Sequence, residues 1–333
     1  MSLETIMNAK TPQELFGEQD NPKASKIYKR YLHIAHPDMY SPHDPEKGIA
    51  HIAFIKLTKF WDQYNGKTGE EIEKNYIKTK KHDYVIGSMV YDTDGFVSFN
   101  AQRDGKSKVY LTFPKNTGNN DLIDTYTQNL SKIKKEVDPK YNAFYPTYLE
   151  SFQFSIDGKV RNIIAHARPE GFYSLTEVME DYPKGIHGRD IAWIFKRILI
   201  GLGNAHEVGL VHGAINPDSI LIHPELHGLI IQNWQYAVED GGTLSALPAS
   251  HKNLYPSYVF DKKPARKELD FYLAAKTMEL LFRDDMPKAL KAFFNGCKLN
   301  TMPFADELLG QFDFVLEKVY GAKSFHEFKM KRK

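Results

Sequence analysis

Residues 211–222, VHGAINPDSILI, decide how the larger part of this chain is read. Upstream, Ile191, Ile194, Phe195, Ile198, Leu199 and Leu202 recur at the spacing that lines one face of a helix. Downstream come the apolar run Leu229-Ile230-Ile231 and then Asn233-Trp234-Gln235. The order is therefore helix, histidine-bearing loop, strand and a second short polar motif. Working outward, Tyr84 to Leu111 holds short β-rich runs broken by Asp94-Gly95 and Asp104-Gly105, both hairpin signals. The pattern turns helical from Asn120 to Val137, returns to strands around Asp157-Gly158, and is dominated by long helices from Gly188 onward. A strand-rich half followed by a helical half predicts a two-lobed α+β unit.

That succession resembles the catalytic centre of a protein kinase over roughly residues 84 to 320. On this resemblance Asn120-Asp121-Leu122 opens the family's regulatory helix, Tyr255-Pro256-Ser257 closes the activation segment, and Asp270 is the helix-borne aspartate that braces the His212 loop. The chemistry-bearing positions depart from the family. The aspartate two residues after the histidine, which accepts a substrate hydroxyl's proton, is Ala214. The loop lysine is Asn216 and the metal-binding asparagine is Ser219. Asn233 stands where a magnesium-binding aspartate belongs, and a neutral amide lacks the charge that holds a hard cation. The strand lysine that clamps phosphates is Thr112 and its glutamate partner is Tyr126, with Lys115 nearby but projecting from another point after Pro114. Only Gly87 and Gly95 remain of a glycine-rich loop. His212 and Asp270 are the retained, structural features. These departures imply a pseudokinase and no enzyme activity.

The other informative stretch is residues 23–40, KASKIYKRYLHIAHPDMY. Ile27, Tyr31 and Ile34 form an inward helical stripe, while Lys23, Lys26, Lys29 and Arg30 supply cations with no acid before Ala35. Pro37 disfavours helical geometry at His36, so the chain turns there and presents Asp38 in a loop. Residues 10–17 predict a short helix with Pro12 near its start and Gly17 at its end. A further helix from about residue 45 to Tyr64 carries Ala50, Ala53, Phe54, Leu57, Trp61 and Tyr64 inward, leaving Ile52 and Ile55 on the other side. Two antiparallel helices joined by His36-Pro37-Asp38 resemble a J-domain, the chaperone-activating module of DnaJ-type proteins, over residues 9 to 66. The resemblance implies that Lys26, Lys29, Arg30, His36, Pro37 and Asp38 contact a DnaK-type ATPase chaperone.

The expected organisation is a small all-α J-domain at 1–66, a charged linker at 67–82, and a kinase-like domain at 83–333. Within that domain the N-lobe would end near 170 and the C-lobe would fill 171–333. Net charge is +2 over 333 residues and the basic residues are mostly lysine, which makes a dedicated nucleic-acid partner unlikely. Cys297 is the one cysteine, so neither an intrachain disulfide nor a cysteine metal cluster is open to the chain. No signal peptide or membrane-length apolar run is present, and a cytoplasmic protein is expected. His33 and His36 lack a third ligand nearby, and His206, His223, His227 and His251 show no helical pairing, so no metal and no cofactor is assigned. Residues 187–190, HGRD, read as the start of a helix.

These readings together predict a DnaJ-type co-chaperone that stimulates a DnaK-type ATPase, with a kinase-like domain holding a client. Two alternatives remain open: an atypical protein kinase with a divergent nucleotide site, and a scaffold without chaperone function.

Overall fold

The computed structural model describes residues 2–18, 21–36, 39–40, 47–65, 76–93, 95–156, 158–299 and 304–331. Pro37 and Asp38 lie outside the described residues, as do the side chains of Ile52 and Ile55. The chain divides into two compact units, residues 1–89 with 99–109, and residues 90–98 with 110–333.

The first unit begins with four helices, α1 (Leu3–Asn8), α2 (Pro12–Phe16), α3 (Ala24–Ala35) and α4 (Lys47–Tyr64). Ser2 caps α1 by accepting a hydrogen bond from the Thr5 N–H, and Pro12 opens α2 where its missing N–H costs nothing. The helix α1 went unread in the sequence, because six residues offer less than two turns of periodicity. Ile6, Phe16, Tyr31, Ala35, Ala50, Ala53, Leu57, Phe60 and Tyr64 form the buried core. Trp61 stacks on Tyr28 with ring centroids 4.5 Å apart, and the Tyr64 hydroxyl accepts from the Asn21 N–H at 2.9 Å. Lys23, Lys26, Lys29 and Arg30 are exposed, so α3 turns its cations to solvent.

Strand β1 (Tyr76–Lys78) occupies part of the stretch read as a linker and pairs antiparallel with β2 (Asp83–Asp92). It is followed by β3 (Phe96–Arg103) and β4 (Ser107–Pro114). Asp104 and Gly105 both take positive φ, 52° and 65°, as a tight hairpin turn demands. The Asp104 carboxylate accepts from the Asp83 N–H at 3.0 Å and lies 2.7 Å from His82 Nδ1.

In the second unit, helix α5 (Asn120–Glu136) precedes the hairpin β5 (Tyr148–Ile156) and β6 (Lys159–Ala167), whose strands pair from Tyr148↔His166 to Ile156↔Lys159. The strand order there is β2-β3-β4-β6-β5. After β7 (Tyr173–Ser174) comes α6 (Leu175–Asp181), opened by a capping box between Ser174 and Glu177. The long helix α7 (Gly188–Glu207) leads into β8 (Leu210–Val211), the hairpin β9 (Ile220–His223) and β10 (Gly228–Ile231), and β11 (Val238–Glu239). Three helices follow, α8 (Lys267–Glu279), α9 (Lys288–Cys297) and α10 (Ala305–Tyr320). Phe195 of α7 packs edge-on against Phe294 and Phe312, at 4.8 and 5.1 Å between centroids. The α+β pattern predicted from the sequence is present, and all six apolar residues named on α7 are buried.

Candidate functional site

The loop between β8 and β9 is held by α8. Asp270, fully buried, accepts from the His212 N–H at 2.8 Å and the Gly213 N–H at 2.7 Å, and His206 Nε2 lies 2.8 Å from the same carboxylate. The Ala214 N–H donates to His212 Nδ1 at 3.2 Å, so His212 carries its proton on Nε2 and donates it to the Gln232 carbonyl at 2.6 Å. Gly213 has φ +69°, and a Cβ there would stand 2.5 Å from Leu244 Cδ2. Asn216 and Ser219 are buried and spent on each other: the Asn216 N–H donates to Ser219 Oγ at 2.9 Å, and Ser219 Oγ donates to the Asn216 carbonyl at 2.9 Å. Ala214, Asn216 and Ser219 therefore shape the loop and line neither of the openings described next.

A cavity of about 130 Å³ is lined by Ser98, Thr112, Tyr126, His166, Asp218 and Asn233, among others. Thr112 Oγ1 lies 2.8 Å from Ser98 Oγ and 3.4 Å from His166 Nε2. Burial pushes His166 down to about 4, and it raises the Tyr126 hydroxyl above its ordinary value. Asn233 sits in the left-handed region, φ 67° and ψ 37°, which asparagine tolerates. The structure thus brings Thr112, Tyr126 and Asn233 to one cavity. Lys115 reaches Asp92, a residue of the cavity wall, in a half-exposed ion pair.

Beside this cavity lies an open groove of about 520 Å³, lined by Tyr91, Tyr110, Arg168, Phe172, Tyr173 and Asp218, among others. Tyr91 and Tyr110 meet edge to face, 5.8 Å between centroids, and Tyr110 also packs on His166 at 5.5 Å. Tyr91 and Asp218 belong to both openings. Asp218 lies 2.7 Å from His251 Nε2 and accepts from the Thr176 hydroxyl. The His251 hydrogen bond, with Thr176 second among the stabilising contacts, holds the Asp218 carboxyl below the usual carboxylate range despite its burial.

Sequence reasoning missed Asp218, Tyr110 and His166. Asp218 stood inside the deciding stretch, but its partner His251 is 33 residues away and no local spacing joins them.

No protein-family description and no curated protein matches this sequence. Among solved structures, the chain is similar to one described as the structure of vaccinia related kinase 3, at 13% identity and a TM-score of 0.57, covering 74% of this chain and 91% of that one. The likeness shows that the chain has a two-lobed, kinase-like α+β fold. It corrects one expectation, that the chain is not an enzyme. A kinase-like fold covers about three-quarters of it, and the presence of Thr112, Ala214 and Asn233 in place of the familiar residues is no ground for excluding activity. No comparison names a J-domain. Among the described residues no helix is long and apolar enough to cross a membrane.

Proposed function

We propose that this protein is an atypical kinase-fold protein with a divergent nucleotide site, binding a purine nucleotide in the groove beside Tyr91 and Tyr110. The observation that carries this reading is the groove's composition: the aromatic rings of Tyr91, Tyr110, Phe172 and Tyr173 and the Arg168 guanidinium, with the carboxylates of Glu177, Glu180 and Asp218, in a space of about 520 Å³. That volume falls within the roughly 300–1,000 Å³ range of small-molecule sites, whereas the enclosed cavity of about 130 Å³ falls below it. A purine base has a π-face suited to the tyrosines, and Arg168 offers a planar fork for a phosphate.

The enclosed cavity does not fit magnesium: Asn233, Gln232 and Gln235 are neutral, and of its two carboxylates Asp92 is paired with Lys115 and Asp218 is engaged by His251 and Thr176. Nucleotide binding is therefore expected without the metal. Ala214 has no proton acceptor, and the one carboxylate in the loop between β8 and β9 is that of Asp218.

Titration calorimetry of the full chain with ATP, in the presence of a chelator, should give saturable binding. Tyr91→Ala should weaken it about tenfold, the order of one lost base-stacking contact. Absence of binding, or equal affinity in the variant, would refute the reading.

A second reading is favoured by the first unit. The exposed Lys26, Lys29 and Arg30 lie on α3, and His36, which follows its last residue, packs its ring edge-on against Phe54 at 5.4 Å. This is the arrangement in which a basic helix and a following loop would engage a DnaK-type ATPase, with Pro37 and Asp38 next in the chain. The full chain is then expected to accelerate ATP hydrolysis by such a chaperone, and Asp38→Asn to abolish the acceleration. Equal stimulation by both proteins would remove this reading and leave the groove untouched.

A further inference from the structure

At the N-terminus of α7, three ligating side chains converge. His187, Asp190 and His326 each offer one ligand atom, and these atoms lie within 4.8 Å of one another. Asp190 is buried, while both histidines are half-buried. His326 arrives from the C-terminal segment, 136 residues away in sequence, and its Nδ1 lies 2.7 Å from Asp190 Oδ1. The two imidazoles stack, 4.7 Å between centroids and 17° between planes.

We propose that His187, Asp190 and His326 form a zinc-type divalent cation site that fastens the C-terminal segment to α7. Two imidazole nitrogens and one carboxylate oxygen are three of the ligands that a tetrahedral zinc site takes, and water supplies the fourth. Metal–ligand bonds of about 2.0–2.1 Å place ligand atoms roughly 3.3 Å apart in a tetrahedron. The present spread of up to 4.8 Å must contract, and the 2.7 Å Asp190–His326 contact must open, so each side chain moves by less than about 2 Å. One bond is lost: His187 Nδ1 now accepts from the Arg189 N–H at 3.1 Å, and ligation through Nε2 puts the His187 proton on Nδ1, which then no longer accepts.

The backbone is already arranged for this closure. Arg189 donates to Ser324 Oγ at 2.8 Å and to the Tyr320 carbonyl at 3.1 Å, and the Lys331 N–H donates to Asp181 at 2.9 Å. Phe325 stacks on His227 and Phe328 packs on Tyr182, at 4.5 and 5.4 Å. The segment carrying His326 is thus held on both sides of the site before any ion arrives.

The test is equilibrium titration of the full, chelator-treated chain with Zn²⁺ and, separately, with Co²⁺. The expected result is one saturable ion per chain, visible absorption of tetrahedral cobalt, and a raised melting temperature as zinc is added. His326→Gln should weaken binding at least tenfold. His36→Gln, in the first unit, should leave it unchanged. The His326 side chain is half-exposed in a terminal segment, so circular dichroism of that variant should match the parent. Absence of saturable uptake, or uptake unaltered by His187→Gln combined with His326→Gln, would overturn the proposal.

Discussion

Replacing Asp270 by alanine is expected to destabilise the second unit by about 3–5 kcal/mol, the range for removing one partner of a buried charged network. The carboxylate is fully buried and accepts two backbone N–H groups, His212 at 2.8 Å and Gly213 at 2.7 Å, beside His206. Alanine leaves both N–H groups buried without an acceptor, and the loop they belong to also carries Asp218. Gly213 cannot relax by changing residue type, because its φ of +69° and the nearby Leu244 leave no room for a Cβ. Urea unfolding followed by tryptophan fluorescence measures the loss, since Trp234 is fully buried and lies 4.7 Å edge-on from the His212 ring. Asp218→Asn, at a half-buried carboxylate, should cost far less. Similar losses for the two variants would mean that Asp270 does not organise the loop.

The second large effect is acid sensitivity at His166. Burial pushes its folded-state value down to about 4, whereas an unfolded histidine titrates near 6.5. Between these values the unfolded chain takes up a proton that the folded chain refuses. Stability therefore falls as pH drops from about 6.5 toward 4, levels off below it, and is restored as pH rises back through the window. The two values differ by about 2.5 units, worth roughly 3 kcal/mol of pH-dependent stability. His166→Gln keeps a hydrogen-bonding partner for Thr112 and removes the titration. The variant's stability should lose about 3 kcal/mol less than the parent's between pH 6.5 and 4. Parallel curves would show that His166 is protonated in place at the cost of no packing.

Much of the frame is legible in the sequence, because it rests on local chemistry. The apolar stripe of α7, the Asp104-Gly105 turn with both φ values positive, and the pairing of the His212 loop with Asp270 all follow from spacing, turn residues or a recurrent loop pattern. What could not be read depends on long-range encounters. His251 meets Asp218 across 33 residues, Thr112 approaches His166 across 54, and His326 meets Asp190 across 136. Each of these pairs is set by how α5–α10 and the strands pack, and no periodicity announces it. The reading of residues 67–82 as linker was led by charge; the described part instead contains Tyr76–Lys78, whose central Ile77 is buried and paired with Tyr84. One apolar residue in a charged run is enough to place a strand when a neighbour supplies the hydrogen bonds. Exclusion of enzyme activity failed for a related reason. Six substituted positions, Thr112, Tyr126, Ala214, Asn216, Ser219 and Asn233, describe the loss of one set of contacts, and the groove beside Tyr91 and Tyr110 lies outside that set.

The groove is also where the account can be tested most directly. Full-length protein is irradiated with a photoreactive azido-purine nucleotide, with and without excess ATP, and the labelled residues are mapped by mass spectrometry. Labelling of Tyr91, Tyr110, Phe172 or Tyr173, suppressed by ATP, is the predicted result. Labelling that ATP does not suppress, or that falls only on residues outside the groove, would contradict it.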